Sequence, residues 1–315
     1  MGWLLAHSFL VSMLLGLLGR SDALTPARID FSVAKVEVAQ AAEIVPTIIA
    51  PIIPSGPHKK DADSLGVQLT AKSAALVDTA SGELLFSYGQ DEPRSIASIT
   101  KLMTALVVLD GHPDWNTKVT VEQSDFDMRG INTLKTGDVL TMRDLWNATL
   151  AGSINAGALA LARSTGMTRD QFVAKMNAKA AALGMSHTNF ADPSGYLPTN
   201  TSTALDIARL AYHALNADDI RLAVTRSQID IRTETGDERH IPATNALLGS
   251  FLNDSPFHII GGKTGYTEEA GYTLTMRAQQ DKGDLIAVVL GSPTSDDRFQ
   301  DMKSLLAWGF RTYEW

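Results

Sequence analysis

The 315-residue chain contains no cysteine. That excludes a disulfide framework, a thiolate nucleophile and the acylated cysteine of a lipoprotein anchor. It leaves the redox compartment open. The histidines, His7, His58, His112, His187, His213, His240 and His258, never fall at His-x-x-x-His spacing, and with no thiol present no zinc-ligand pattern remains. No metal and no cofactor is expected, and His187 and His213 read as cap or surface residues. The chain also lacks a basic stripe, and its net charge of −8 argues against nucleic acid as a partner.

Long apolar runs are equally scarce. The N-terminal run, Trp3–Ala6 and Phe9–Leu18, is interrupted by His7, Ser8 and Ser12 and is short for a membrane span. Ser21-Asp22-Ala23 follows with small residues spaced as a signal peptidase requires. Residues 1–23 therefore read as a cleaved signal peptide and the protein as exported or periplasmic. The segment before the run has no Lys or Arg, and Arg20 lies beyond it, so an uncleaved anchor is the alternative. Residues 24–69 carry Pro26, Pro46, Pro51, Pro54 and Pro57 and read as a linker or arm. Its apolar stretch Ile44–Ile53 is expected to pack on the domain. Residues 70–315 remain as one large unit.

Within that unit, Ser98-Ile-Thr-Lys101 places a hydroxyl and an amine three residues apart, on one face of a helix. The apolar positions Ile99, Leu102, Met103, Leu106 and Val107 have helical spacing and put Ser98 in the first turn. A lysine amine so placed can take the serine proton without a histidine. The helix dipole disfavours the ammonium and would lower its pKa. The motif is short. Ser32-Val-Ala-Lys35 repeats it with no apolar helix behind it, and Ser98 as a plain helix cap is the competing reading. Two further elements follow in order: Ser153-Ile154-Asn155, then Lys263-Thr264-Gly265 beside Gly261 and Gly262. Another Lys-Thr-Gly, at Lys135, precedes Ser153 and reads as a turn.

Residues 74–78 and 83–88 predict a hairpin, and 271–279 with 285–290 predict a second. Helices are predicted over 98–110, 144–163 (with Ser153–Asn155 inside it or at a break), 168–183, 203–216 and 296–308. Strands at both ends with helices between them give an α/β (α+β) architecture: an antiparallel sheet from both chain ends with an inserted helical lobe.

With these three elements in this order, the region from Thr70 onward resembles the low-molecular-mass penicillin-binding proteins, the serine D-alanyl-D-alanine carboxypeptidase and endopeptidase family. Matching stretches include residues 75–84, 97–106, 176–190, Asp192-Pro-Ser-Gly195, 202–206, 244–248 and 262–267. The resemblance implies a β-lactamase/DD-peptidase-like fold and acyl-enzyme chemistry. Ser98 would be the nucleophile, Lys101 the general base and Ser153 the proton relay. Asn155 would fix Lys101 or the substrate amide, and Lys263 and Thr264 would face the substrate carboxylate. Gly265 would allow close approach, and the backbone N–H groups of Ser98 and Tyr266 would hold the oxyanion. The implied partners are peptidoglycan peptides and β-lactam antibiotics, with peripheral association with the cell envelope left open. Ile154 stands where many relatives have a more polar residue. Members with an extra C-terminal domain run well past position 315, so the resemblance is to the shorter, endopeptidase-like branch. Asp192–Gly195 is expected to be a structural turn.

Two other functions share parts of this pattern. A serine β-lactamase of the class A type would need a Glu-x-x-Leu-Asn segment between Ser153 and Lys263, and none is present. A non-catalytic wall-binding or antibiotic-sensing domain would keep the pocket without turnover.

Overall fold

The computed structural model describes residues 27–33, 56–130 and 133–315. The proposed signal peptide, the Ile44–Ile53 stretch and Lys35 of the second Ser-x-x-Lys lie outside the described residues.

Five antiparallel strands form the central sheet: β1 (Ser73–Asp78), β2 (Leu84–Tyr88), β3 (Phe257–Thr267), β4 (Gly271–Gln280) and β5 (Gly283–Ser292), in the order β3-β4-β5-β1-β2. The two ends of the chain meet where β5 pairs with β1, with Ile286 opposite Val77 and Val288 opposite Ala75. Both strands are covered on both faces, which is why they read as unbroken apolar runs. Successive side chains point to opposite faces. Leu76, Leu285, Ala287 and Val289 pack with Met302, Leu305 and Leu306 of the C-terminal helix α7 (Ser295–Thr312). Ala75, Val77, Ile286, Val288 and Leu290 face the helical lobe.

That lobe is made of α1 (Thr100–Leu109), α2 (Met142–Gly152), α3 (Asn155–Ser164), α4 (Arg169–Ala182), α5 (Ala204–Asn216) and α6 (Asp218–Val224). Three of these helices begin with a threonine whose hydroxyl accepts a backbone N–H: Thr141, Thr168 and Thr203. A hairpin of Gln228–Arg232 and Glu238–Pro242, absent from the sequence expectation, follows α6.

The described parts of the 24–69 arm pack on the domain. Arg28 bridges Glu83, and the Phe31 ring stacks on Tyr212 with centroids 4.1 Å apart. His58 and Lys59 pair with Glu314 and Tyr313, and Trp308 Nε1 donates to the Leu65 carbonyl at 2.8 Å.

The chain enters β1 through a buried carboxylate. Asp301 accepts hydrogen bonds from Thr70 N, Thr70 Oγ1, Ala71 N and Ser292 Oγ, all within 2.8–2.9 Å. Asp301→Ala leaves these donors without an acceptor. It is expected to destabilise the protein by about 3 kcal/mol, a fall in melting temperature of about 6–10 °C. Calorimetry showing an unchanged melting temperature would contradict that role.

Candidate active site

Ser98 lies in a single 3₁₀ turn, Ala97–Ile99, directly ahead of α1. The sequence expectation ran one continuous helix through this turn. Ala97 has φ 48°, a left-handed conformation that a non-glycine residue holds only when its surroundings enforce it. Ser153 shares this feature. At φ 59° it ends α2, and α3 starts two residues later at Asn155. The predicted 144–163 helix is thus broken at the residue whose hydroxyl enters the cleft.

Lys101 is fully buried, and its Nζ has three partners at 2.7 Å: Ser98 Oγ, Asn155 Oδ1 and the Ser194 carbonyl. Asn155 Nδ2 donates to the Arg129 carbonyl, which fixes the amide orientation and aims Oδ1 at the lysine. Asn155 Oδ1 and Ser194 O can only accept, so a neutral amine spends its two N–H bonds on them. Its lone pair is left for the Ser98 hydroxyl. Burial lowers the Lys101 pKa to about 7, and the charge of Asp192 opposes the shift. The sequence reading assigned this shift to the helix dipole. Burial is the dominant cause.

Asp192–Gly195 is more than the plain turn expected from sequence. Its Ser194 carbonyl is a direct partner of Lys101, and the Pro193 carbonyl accepts from Thr104 Oγ1 at 2.6 Å. Nothing in a loop motif advertises a backbone carbonyl aimed at a side chain from another segment.

Lys263 projects from β3 into the interior, donating to Ser153 Oγ at 2.8 Å and to the Thr264 carbonyl at 3.0 Å. Burial, then the neighbouring Lys101 and Arg298, push its pKa well below the ordinary lysine range. Lys263, expected opposite the substrate carboxylate, is 1% exposed and bonded to the Ser153 hydroxyl. Gly265 brings β3 against the nucleophile turn. A Cβ there would sit 2.9 Å from the Ile96 carbonyl and 3.0 Å from Ser98 N.

Two compartments flank Ser98. One, of about 250 Å³, is lined by Ser153, Thr244, Thr264, Gly265, Tyr272 and Arg298 together with Ser98 and Asn155. The other, of about 410 Å³, adds Arg129, Tyr196, Glu268 and Glu269, and Tyr266 borders both. Arg298 was not anticipated from sequence. Its guanidinium is buried, donates to the Gly265 carbonyl at 3.0 Å and lies over the Tyr272 ring. Burial lowers its pKa to about 10, which leaves it cationic at neutral pH. Thr244 Oγ1 and Thr264 Oγ1 meet at 2.5 Å beside it. A lone arginine on an amphipathic helix carries no motif. Only the register of α7 against β3 and β4 places it. Among the described residues no group of His, Asp or Glu is arranged to hold a metal ion.

A serine paired with a buried lysine, set between a helical lobe and the edge strand of an antiparallel sheet, defines a serine acyl-transfer hydrolase of the DD-peptidase fold. Residues 58–294 match the profile of the peptidase family described as D-alanyl-D-alanine carboxypeptidase, and the chain belongs to that family. It is similar to a D-alanyl-D-alanine endopeptidase of Pseudomonas aeruginosa, with 33% identity over 265 residues, 82% of this chain and 84% of that protein. The corresponding endopeptidase of Haemophilus influenzae is 36% identical over 207 residues, 65% of this chain and 69% of that protein. Among solved structures it resembles penicillin-binding protein D2 of Listeria monocytogenes in its cefotaxime-bound form. The TM-score is 0.68 at 30% identity, covering 78% of this chain and 100% of that one.

Proposed function

We propose that this protein is a serine DD-peptidase that hydrolyses D-Ala-D-Ala or D-Ala-diaminopimelate bonds of peptidoglycan peptides through a Ser98 acyl-enzyme, and that β-lactams acylate the same residue. The observation that carries this reading is the Ser98 Oγ–Lys101 Nζ contact at 2.7 Å, with the other two lysine partners able only to accept.

Lys101 takes the Ser98 proton as Oγ attacks the carbonyl carbon. The oxyanion falls to the backbone N–H groups of Ser98 and Tyr266. Ser153 Oγ accepts from Lys263, so its own hydrogen is free to point into the cleft. It passes to the leaving nitrogen as that bond breaks, and the proton that Lys101 took from Ser98 replaces it, which returns both Ser153 and Lys101 to their starting forms. The compartment with Thr244, Thr264 and Arg298 takes the carboxylate of the leaving residue, and the larger one takes the acyl side. Water then releases the acyl group. A catalytic unit of residues 70–315 behind an exported 1–23 signal peptide and the 24–69 arm belongs to the same reading. Among the described residues no helix is long and apolar enough to cross a membrane.

The test is peptide mapping after exposure to penicillin, paired with product analysis on a cross-linked muropeptide dimer and a pentapeptide monomer. A persistent adduct on the peptide containing Ser98 and release of D-Ala or monomer are expected. An adduct on another serine overturns the site. Rapid turnover of penicillin makes the protein a β-lactamase, and muropeptide binding without cleavage makes it a sensing domain.

A further inference from the structure

Asp192 is fully buried, yet it makes none of the ion pairs found among the described residues. Its carboxylate is held by hydrogen-bond donors alone. Oδ1 accepts from Ser194 N at 2.6 Å, Ser194 Oγ at 2.5 Å, Gly195 N at 2.9 Å and Tyr196 N at 3.4 Å. Oδ2 accepts from Leu197 N at 2.8 Å and Asn200 Nδ2 at 2.6 Å. These donors outweigh burial and hold its pKa below the usual carboxylate value, so it stays charged.

This ring of donors winds residues 192–197 tightly around the carboxylate, and the loop it makes seats on the nucleophile helix. Thr104 and Lys101, one turn apart on α1, donate to the consecutive carbonyls of Pro193 and Ser194. Gly195, at φ +81°, lies so close that a Cβ there would meet the Ala97 carbonyl at 2.0 Å. The charges facing Lys101 are few. Lys263 approaches from β3 with Arg298 of α7 beyond it, and Lys101 and Arg298 add to the burial that lowers the Lys263 pKa. Asp192 is the anion on the other side.

We propose that Asp192 is a positioning residue for acylation: it winds the 192–197 loop so that the Ser194 carbonyl is held on the Lys101 amine, with its own buried negative charge behind that contact. The proposal rests on the acyl-enzyme reading above. It assigns the Asp192–Asn200 loop a share in catalysis from a residue that lines neither compartment.

The experiment is the pH dependence of penicillin acylation in wild type, Asp192→Asn and Asp192→Glu, each checked for a native melting transition. Removing the charge favours the neutral amine, so the acid limb in Asp192→Asn is expected to move to lower pH by about one unit. Its plateau rate should fall, because an NH2 then confronts donors. Asp192→Glu keeps the charge and displaces the loop, so its limb should stay with wild type while its plateau drops. A limb that does not move in Asp192→Asn, or that moves as far in Asp192→Glu, overturns the proposal and leaves Asp192 a structural residue. If Asp192→Asn does not fold, Asp192→Glu decides: a fallen plateau with the limb in place supports the proposal, and an unchanged plateau or a shifted limb overturns it. Wild-type protein that forms no adduct at Ser98 overturns the acyl-enzyme reading instead, so the two failures are distinguishable.

Discussion

Lys101→Ala is expected to lower the rate of acylation by penicillin by about 10³–10⁴-fold, near the upper end for a general base. Fluorescent penicillin labelling followed over time would measure it. The loss should be greatest above neutral pH, where the wild-type amine is free. In wild type the rate should rise through about pH 7, where the buried ammonium gives up its proton. The variant should have no such limb, because it lacks the amine that joins Ser98 Oγ to Asn155 Oδ1. Near-native acylation by Lys101→Ala would remove this residue from the base role. Stability offers an independent check on the same pKa. Between about pH 7 and the ordinary lysine range, the unfolded chain holds a proton that the native site has released. Native stability therefore rises with pH across that window.

How much of this was legible in the sequence depends on which kind of contact is asked about. Ser98 and Lys101 could be paired because helical geometry links positions three apart whatever lies around them. β1 and β5 were visible because a strand covered on both faces needs an unbroken apolar run, and Ala74–Val77 and Leu285–Leu290 supply one. β3 was harder. Gly261, Gly262 and Gly265 weaken the strand pattern, and the same glycines let β3 approach other backbone, as Gly265 does against Ser98. The groups that went unseen act through backbone or through tertiary register. The Ser194 carbonyl reaches Lys101 from 93 positions away, and its side chain takes no part in that contact. Arg298 enters the cleft only because α7 packs on β5 and β4, which lets its guanidinium reach the Gly265 carbonyl of β3. The cause of the Lys101 shift was misread for the same reason. A helix dipole can be inferred from local spacing, whereas complete burial is a property of the whole assembled lobe.

Lys263 and Arg298 are the two basic side chains beside Ser153 and Thr264, and their different burial predicts different kinetic signatures. Lys263 bonds to Ser153 and is shut off from the open compartment, so its influence passes through that hydroxyl. Lys263→Ala leaves Ser153 Oγ without the donor that orients its proton. It is expected to lower the acylation rate constant by about 10²–10³-fold for penicillin and peptide alike, with a smaller change in binding. Arg298 lines the compartment and stays charged at neutral pH. Arg298→Gln is therefore expected to act mainly on binding of a substrate with a free terminal carboxylate, raising KM about tenfold with a smaller change in kcat. The pair is measured with one peptide substrate and its C-terminal amide. The amide should be a poor substrate for wild type, and Arg298→Gln should discriminate less between the two. If instead Lys263→Ala abolishes that discrimination while Arg298→Gln preserves it, the buried lysine reads the carboxylate after all, and its hydrogen bond to Ser153 must break when substrate enters.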